Sequence, residues 1–203
     1  MKTLISLLAL SMLMASCAHV YFTDVQPRKG QRLMEIPTEL HGTWHTLKGS
    51  TEIHAKGITI LEMIEDSTET GTEIREEYKY MNLSEDFQLY QSKDLYVFNL
   101  RESRAKYWEF GMLQKKDNGD INYYTCNDPN SYLFEKNLKL IEAKYTDGEE
   151  EKTFSKMQNN SELTLEHVVF KGKMDHNTLV KLLVQENLMN IYKKDGTIEN
   201  PNY

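Results

Sequence analysis

The tightest constraint on what this chain can fold into is a rhythm. From residue 58 onward, short segments rich in β-branched and aromatic residues recur at roughly ten-residue spacing, bounded by turn residues. They are 58–64, 74–81, 86–91, 94–101, 106–114, 120–126, 137–145 and 162–171. Segments of this length and spacing pair as antiparallel strands, in a meander, a sandwich or a barrel. Within 74–81, alternation puts Ile74, Glu76, Tyr78 and Tyr80 on one face and Arg75, Glu77, Lys79 and Met81 on the other. Asp117-Asn118-Gly119 separates two segments, and Asn-Gly tolerates the positive φ of a tight hairpin. Asp147-Gly148 opens another turn, for which Glu149-Glu150-Glu151 reads as the solvated tip.

One stretch follows a different period. Across 177–189, Leu179, Leu182, Leu183 and the pair Leu188/Met189 recur at spacings of three to four, which predicts a helix packed on the sheet by one stripe. Asp175 or Asn177 can cap its first amides. Residues 18–40 carry no helical period and are punctuated by Pro27, Gly30 and Pro37. They read as a tether, with a β-domain over 41–203.

The first seventeen residues carry an address. Lys2 is followed by an apolar run from Leu4 to Met14, suited to a secretory leader and too short to span a bilayer. Met14-Ala15-Ser16-Cys17 resembles a bacterial lipobox. The resemblance implies that a leader over 1–16 is removed and that Cys17 receives diacylglycerol and an acyl chain such as palmitate. Ala18 is not the Asp that signals inner-membrane retention in such lipoproteins, so the resemblance implies the periplasmic face of the outer membrane. Several lipid chains, at ~0.8 kcal/mol per buried CH₂, anchor stably without a transmembrane helix. Of the two cysteines, Cys17 and Cys126, neither then has a disulfide partner within the chain.

Composition removes other classes. Lys and Arg number 24 against 31 Asp and Glu, a formal charge of −7, which suits a nucleic-acid backbone poorly; no nucleic-acid partner is expected. A mean hydropathy of −0.62 excludes a polytopic membrane protein. The 12 Tyr, 7 Phe and 2 Trp argue against disorder. His41 and His45 lie four apart on a strand-like stretch, ~13 Å along it, too far to share a metal. His54 across a hairpin from His45 would give two ligands at best. There is no Cys-x-x-Cys, no His-Glu-x-x-His, no Gly-x-Ser-x-Gly and no glycine-rich phosphate loop. Glu76 and Glu77 point to opposite faces of their strand. We expect no catalytic residues, no cofactor and no metal.

Aromatics spread over consecutive segments either fill a core or line a cavity. Trp44, Tyr78, Tyr80, Tyr96 and Tyr123 are the candidate ligand-binding residues. Leu40-His41-Gly42-Thr43-Trp44 resembles the first-strand Gly-x-Trp signature of lipocalin-like barrels, in which the Trp closes one end. Gln26-Pro27, Ile36-Pro37, Leu40 and Gly42 are similar to the N-terminal pattern of small uncharacterised bacterial lipoproteins. Together these resemblances imply a mainly β domain, an antiparallel meander closing into a lipocalin-like barrel with one C-terminal helix packed on it. The implied function is that of a lipid-anchored envelope lipoprotein binding a small or lipidic apolar ligand. The alternative is a non-catalytic structural or interaction module for an envelope protein or glycan.

Overall fold

The computed structural model describes residues 19–46, 49–68, 71–101, 106–125, 132–146, 148–153, 164–184 and 188–193. The leader, Cys17, Cys126 and Asp147 lie outside the described residues. The chain is mainly β, with 60% of it in strands and two short helices. The strands form three layers.

The front sheet has the order β3-β4-β5-β6. Its strands are β3 (Gly42–Thr46), β4 (Gly49–His54), β5 (Gly57–Thr68) and β6 (Gly71–Asn82), a plain antiparallel meander. The central sheet has six strands in the order β14-β10-β9-β8-β7-β2. These are β2 (Gln31–Leu33), β7 (Phe87–Ser92), β8 (Leu95–Leu100), β9 (Glu109–Lys115), β10 (Ile121–Thr125) and β14 (Leu188–Tyr192). The rear sheet has the order β1-β13-β11-β12, from β1 (His19–Phe22), β11 (Lys139–Tyr145), β12 (Glu150–Glu151) and β13 (Leu165–Lys171).

Two links join front and central sheets. His45 and Lys193 exchange backbone hydrogen bonds of 2.9 and 3.1 Å, placing the end of β14 beside β3. At the other side β6 runs into β7 through residues 83–86, where Ser84 N donates to Phe87 O at 2.7 Å. A third link, Phe22 paired with Trp108, ties β1 to the start of β9.

The segment read as a tether is woven into the fold. β1 pairs in parallel with β13, and β2 pairs with β7. Between them Gln26 is fully buried. Asn99 holds its backbone from both sides: Gln26 N donates to Asn99 Oδ1 at 2.7 Å, and Asn99 Nδ2 donates to Gln26 O at 2.8 Å. The Gln26 side chain donates to Gly172 O and accepts from Met174 N, at 2.9 and 2.7 Å. Pro27, Gly30 and Pro37 therefore punctuate strands of three or four residues, too short to display alternation in the sequence.

The C-terminal helix is also shorter than its leucine period predicts. It spans α2 (His176–Lys181), with Asp175 capping through Oδ1 from Thr178 N at 2.8 Å, as expected for one of the two candidate caps. Leu188 and Met189 belong instead to β14, which pairs with β10. A short apolar run satisfies a period of 3.6 or of 2 equally well, and here the open edge of β10 decides. A second short helix, α1 (Tyr132–Asn137), precedes β11 and carries no sequence period of its own.

Both faces of the central sheet are buried. Leu95, Val97, Phe110 and Met112 face the rear sheet, α1 and α2, in a core with Phe22, Phe134 and Phe170. Phe87, Leu89, Tyr96 and Ile121 face the front sheet, in a core with Leu40, Trp44, Ile58 and Met81.

Candidate functional site

The front core does not close completely. It surrounds a cavity of about 280 Å³. Side chains two residues apart on successive strands line it, as the pleat requires. From the front sheet come Trp44, Thr51 and Ile53, Ile58 and Ile60, with Met81. From the central sheet come Phe98 and Leu100, Leu113, Ile121 and Tyr123, with Tyr192. Glu62 and Lys79 are its charged members, and both are solvent-exposed. The site is a mainly apolar chamber, with Thr51, Tyr123 and Tyr192 as its hydroxyl-bearing members and one carboxylate and one ammonium on its exposed residues.

Trp44 is fully buried, and its Nε1 donates to Leu40 O at 2.8 Å. That bond satisfies the indole while its ring forms a wall. The Tyr123 and Tyr192 rings lie 6.4 Å apart at 60°. Tyr123 rests over Gly111 of β9, where a Cβ would strike the ring, so the glycine is what allows this close approach.

Of the five aromatics singled out in the sequence, the cavity takes two, Trp44 and Tyr123. Tyr96 belongs to the front core but does not reach the chamber. Its hydroxyl donates to Glu39 Oε1 at 2.6 Å, and burial, then that carboxylate, pushes its pKa up to about 12. Glu39 in turn is held below the ordinary carboxylate range, chiefly by the Tyr96 hydroxyl. Tyr78 and Tyr80 are on the opposite, solvent face of β6, 65% and 57% exposed. The alternation of 74–81 was legible, but the cavity uses the face bearing Lys79 and Met81. The missed lining residues Ile58, Ile60, Phe98 and Leu100 carry a signal in hindsight: each pair lies two apart within a predicted strand.

His41, His45 and His54 go separate ways. His41 Nε2 lies 2.8 Å from Ile36 O, His45 pairs through its backbone with Lys193, and His54 lies 3.6 Å from Glu52. His45 sits opposite Ser50 in the β3–β4 hairpin, away from His54. Among the described residues no three His, Cys, Asp or Glu side chains are placed to hold a metal.

A second concavity of about 570 Å³ lies where α2 meets the β7–β8 turn. Ser92 Oγ is 3.2 Å from His176 Nδ1, and His176 Nε2 is 3.7 Å from Asp94 Oδ1. The residue types are those of a nucleophile relay. Ser92, however, is 3% exposed, while the Asp94 side chain is 68% exposed. A buried hydroxyl and a loosely held carboxylate anchor α2 to the turn; they do not present an activated nucleophile.

Comparison with family models, with curated proteins and with solved structures finds no match for this chain. Among the described residues no helix is long and apolar enough to cross a membrane.

Proposed function

We propose that this chain is a lipid-anchored envelope lipoprotein, tethered through Cys17 to the periplasmic face of the outer membrane, whose β-domain carries a small apolar ligand. The observation that carries the reading is the chamber between the front and central sheets, lined mainly by apolar side chains and charged only at Glu62 and Lys79. Its volume is about twice the ~150 Å³ that accepts benzene in an engineered cavity. A molecule of about a dozen non-hydrogen atoms fits, with its polar end at the rim.

A lipocalin-like wrap of the two sheets is supported by three features. β3 to β10 run as a near-continuous meander, β14 bridges β10 and β3, and Trp44 of the Gly-x-Trp stretch sits buried beside the chamber. In this reading the chamber is the lumen and β1, β11 and β13 are an added layer. The chain needs no catalytic group for such a role.

Native mass spectrometry of the protein released from its membrane tests the ligand reading. An adduct of defined mass that is lost on Leu113→Trp, which fills the chamber, is the expected result. A clean apo mass, with no uptake of any apolar probe, would overturn it. Mass spectrometry of the same sample reads the anchor: a diacylglyceryl group on Cys17 is expected, and an unmodified N-terminus elsewhere removes that part of the proposal. A second reading, a non-catalytic interaction module, is favoured by one specific observation, the exposed Tyr78 and Tyr80.

A further inference from the structure

We propose that the outer face and free edge of the β5–β6 hairpin form a docking surface for a cationic, extended segment of a partner protein. The two strands are twelve residues each and pair without a register shift from Gly57–Asn82 to Thr68–Gly71. β4 accompanies β5 only as far as Glu62. Among the described residues, from Met63–Glu76 outward the hairpin is a two-stranded arm, about 20 Å long at ~3.3 Å per residue. Two-stranded ribbons are marginal alone in water, so an arm of this length is an element that a partner completes.

The arm carries an apolar strip. Met63 is 46% exposed and Ile74 68%, in line with Tyr78 and Tyr80 on the face away from the chamber. Isolated exposed apolar residues are ordinary; four on one face of one hairpin mark an interaction site. β6 ends its sheet and has a bare edge along its length among the described residues. It has no proline and no bulge, two of the usual devices that blunt such an edge.

Charge selects the occupant. Residues 57–82 hold Glu62, Glu65, Asp66, Glu69, Glu73, Glu76 and Glu77 against Arg75 and Lys79, a balance of −5 within a chain of −7. Most of the net charge of the protein is thus carried by this stretch of sequence, and of its described acidic side chains Glu76 shares the face of the strip. This charge repels a second copy of the same arm and an anionic lipid surface, and it attracts a strand bearing Lys or Arg. Tyr78 and Tyr80 offer ring faces to such cations, and Tyr78 Oη already donates to Glu76 at 3.1 Å, gathering acceptor and ring at one place. The apolar strip itself lies on the face of β6 away from the chamber.

The test uses the full chain in a zwitterionic detergent micelle and a fluorescent twelve-residue peptide of alternating Lys and Val. Binding is expected at 20 mM NaCl, weakened at least tenfold at 300 mM, because the Debye length shrinks below the reach of the arm's carboxylates. Tyr78→Ser with Tyr80→Ser should weaken it at least tenfold. So should Glu76→Lys with Glu77→Lys, which keeps the apolar strip and guards against a folding artefact in the first pair. Bound peptide should slow amide exchange across 72–80. No binding at 20 mM NaCl, or equal binding by wild type and both variants, overturns the proposal. Tyrosine-dependent binding of a chitin oligosaccharide or of neutral lipid vesicles, with none of the peptide, also overturns it.

Discussion

The two sides of the central sheet are walled by the same kinds of side chain and packed to different ends. Behind it, Phe22 sits 4.9 Å from the Phe110 ring, 6.1 Å from Phe134 and 6.0 Å from Phe170, with Met174 and Leu179 of the α2 region buried in the same cluster. In front of it, Phe87 stacks on Phe98 at 4.2 Å, yet a chamber persists beside Trp44. The difference is the plug. The rear layer receives α1 and α2; among the described residues the front layer receives only the 3-10 turn Thr38–Leu40, which buries Leu40. Strand composition alone does not decide whether a core is solid. The elements inserted at its open end do.

The largest effect should come from the rear side, where Phe22 has ring neighbours on three sides. Phe22→Ala is expected to cost about 4 kcal/mol, since its neighbours on three sides cannot collapse into the hole. Trp44→Ala should cost about 3 kcal/mol despite the larger ring, because one side of it already faces empty space and has fewer dispersion contacts to lose. Urea unfolding of both variants checks the order. A reversed order would mean that the chamber is filled in the isolated protein. The Trp44→Ala cavity should also accept a bulkier adduct in native mass spectrometry.

Next comes the seam that stitches the N-terminal segment to the central sheet. Asn99→Leu keeps the volume and removes both bonds to the Gln26 backbone, leaving a buried N–H and C=O unpaired. A loss of about 2–3 kcal/mol is expected. Chemical denaturation measures it, and hydrogen exchange at Gln26 should accelerate before global unfolding. A loss below ~0.5 kcal/mol would show that residues 19–40 behave as a tether after all.

Tyr96 gives a pH signature on the front side. Its folded pKa, about 12, lies above the ordinary 10 of an unfolded tyrosine. Between these values the unfolded chain holds fewer protons than the folded one, so stability should fall as pH rises from about 10 towards 12. Tyr96→Phe should flatten that stretch of the stability curve and cost about 1–2 kcal/mol at neutral pH through the lost bond to Glu39. An alkaline limb unchanged in the variant would remove Tyr96 from the account. Smaller again, Gly111→Ala should cost about 1 kcal/mol, because the Tyr123 ring can swing away from the new methyl. The ring then enters the chamber, so ligand uptake should fall more than stability does.

Much of the fold was readable from alternation, and the failures have physical causes. All eight predicted segments contain strands, because antiparallel pairing imposes a period of two that turn residues bracket. The parallel pairing of β1 with β13 was not readable: it joins residues some 150 apart, and four residues are too few to show a period. Leu188 and Met189 satisfied helix and strand alike, and pairing with β10 chose between them. At the chamber, Trp44 and Tyr123 stand in the wall because large aromatics at strand positions are usually inward. Tyr78 and Tyr80 broke that rule. Their own strand had two faces on offer, and Lys79 made the inward one look like the outward one. A charged residue at a cavity rim shares a face with apolar ones behind it, and sequence alternation alone cannot tell rim from surface.

The smallest expected effect is therefore the sharpest test of which face is which. Tyr80 and Met81 are neighbours on β6, one outside and one in the front core. Met81→Ala should cost about 2–3 kcal/mol, as a buried side chain against the chamber wall. Tyr80→Ser and Tyr78→Ser should each stay within about 0.5 kcal/mol, as surface changes away from any cap, cavity or buried bond. A Tyr80→Ser cost above ~1 kcal/mol would mean that the outer strip is covered even in the isolated protein. A melting temperature that rises with protein concentration would then identify a second copy as the cover, and the acidic repulsion along 57–82 would have been overcome by apolar burial. With no such concentration dependence and near-zero costs, the strip serves neither folding nor self-association, and its four exposed apolar residues are left for another molecule to bury.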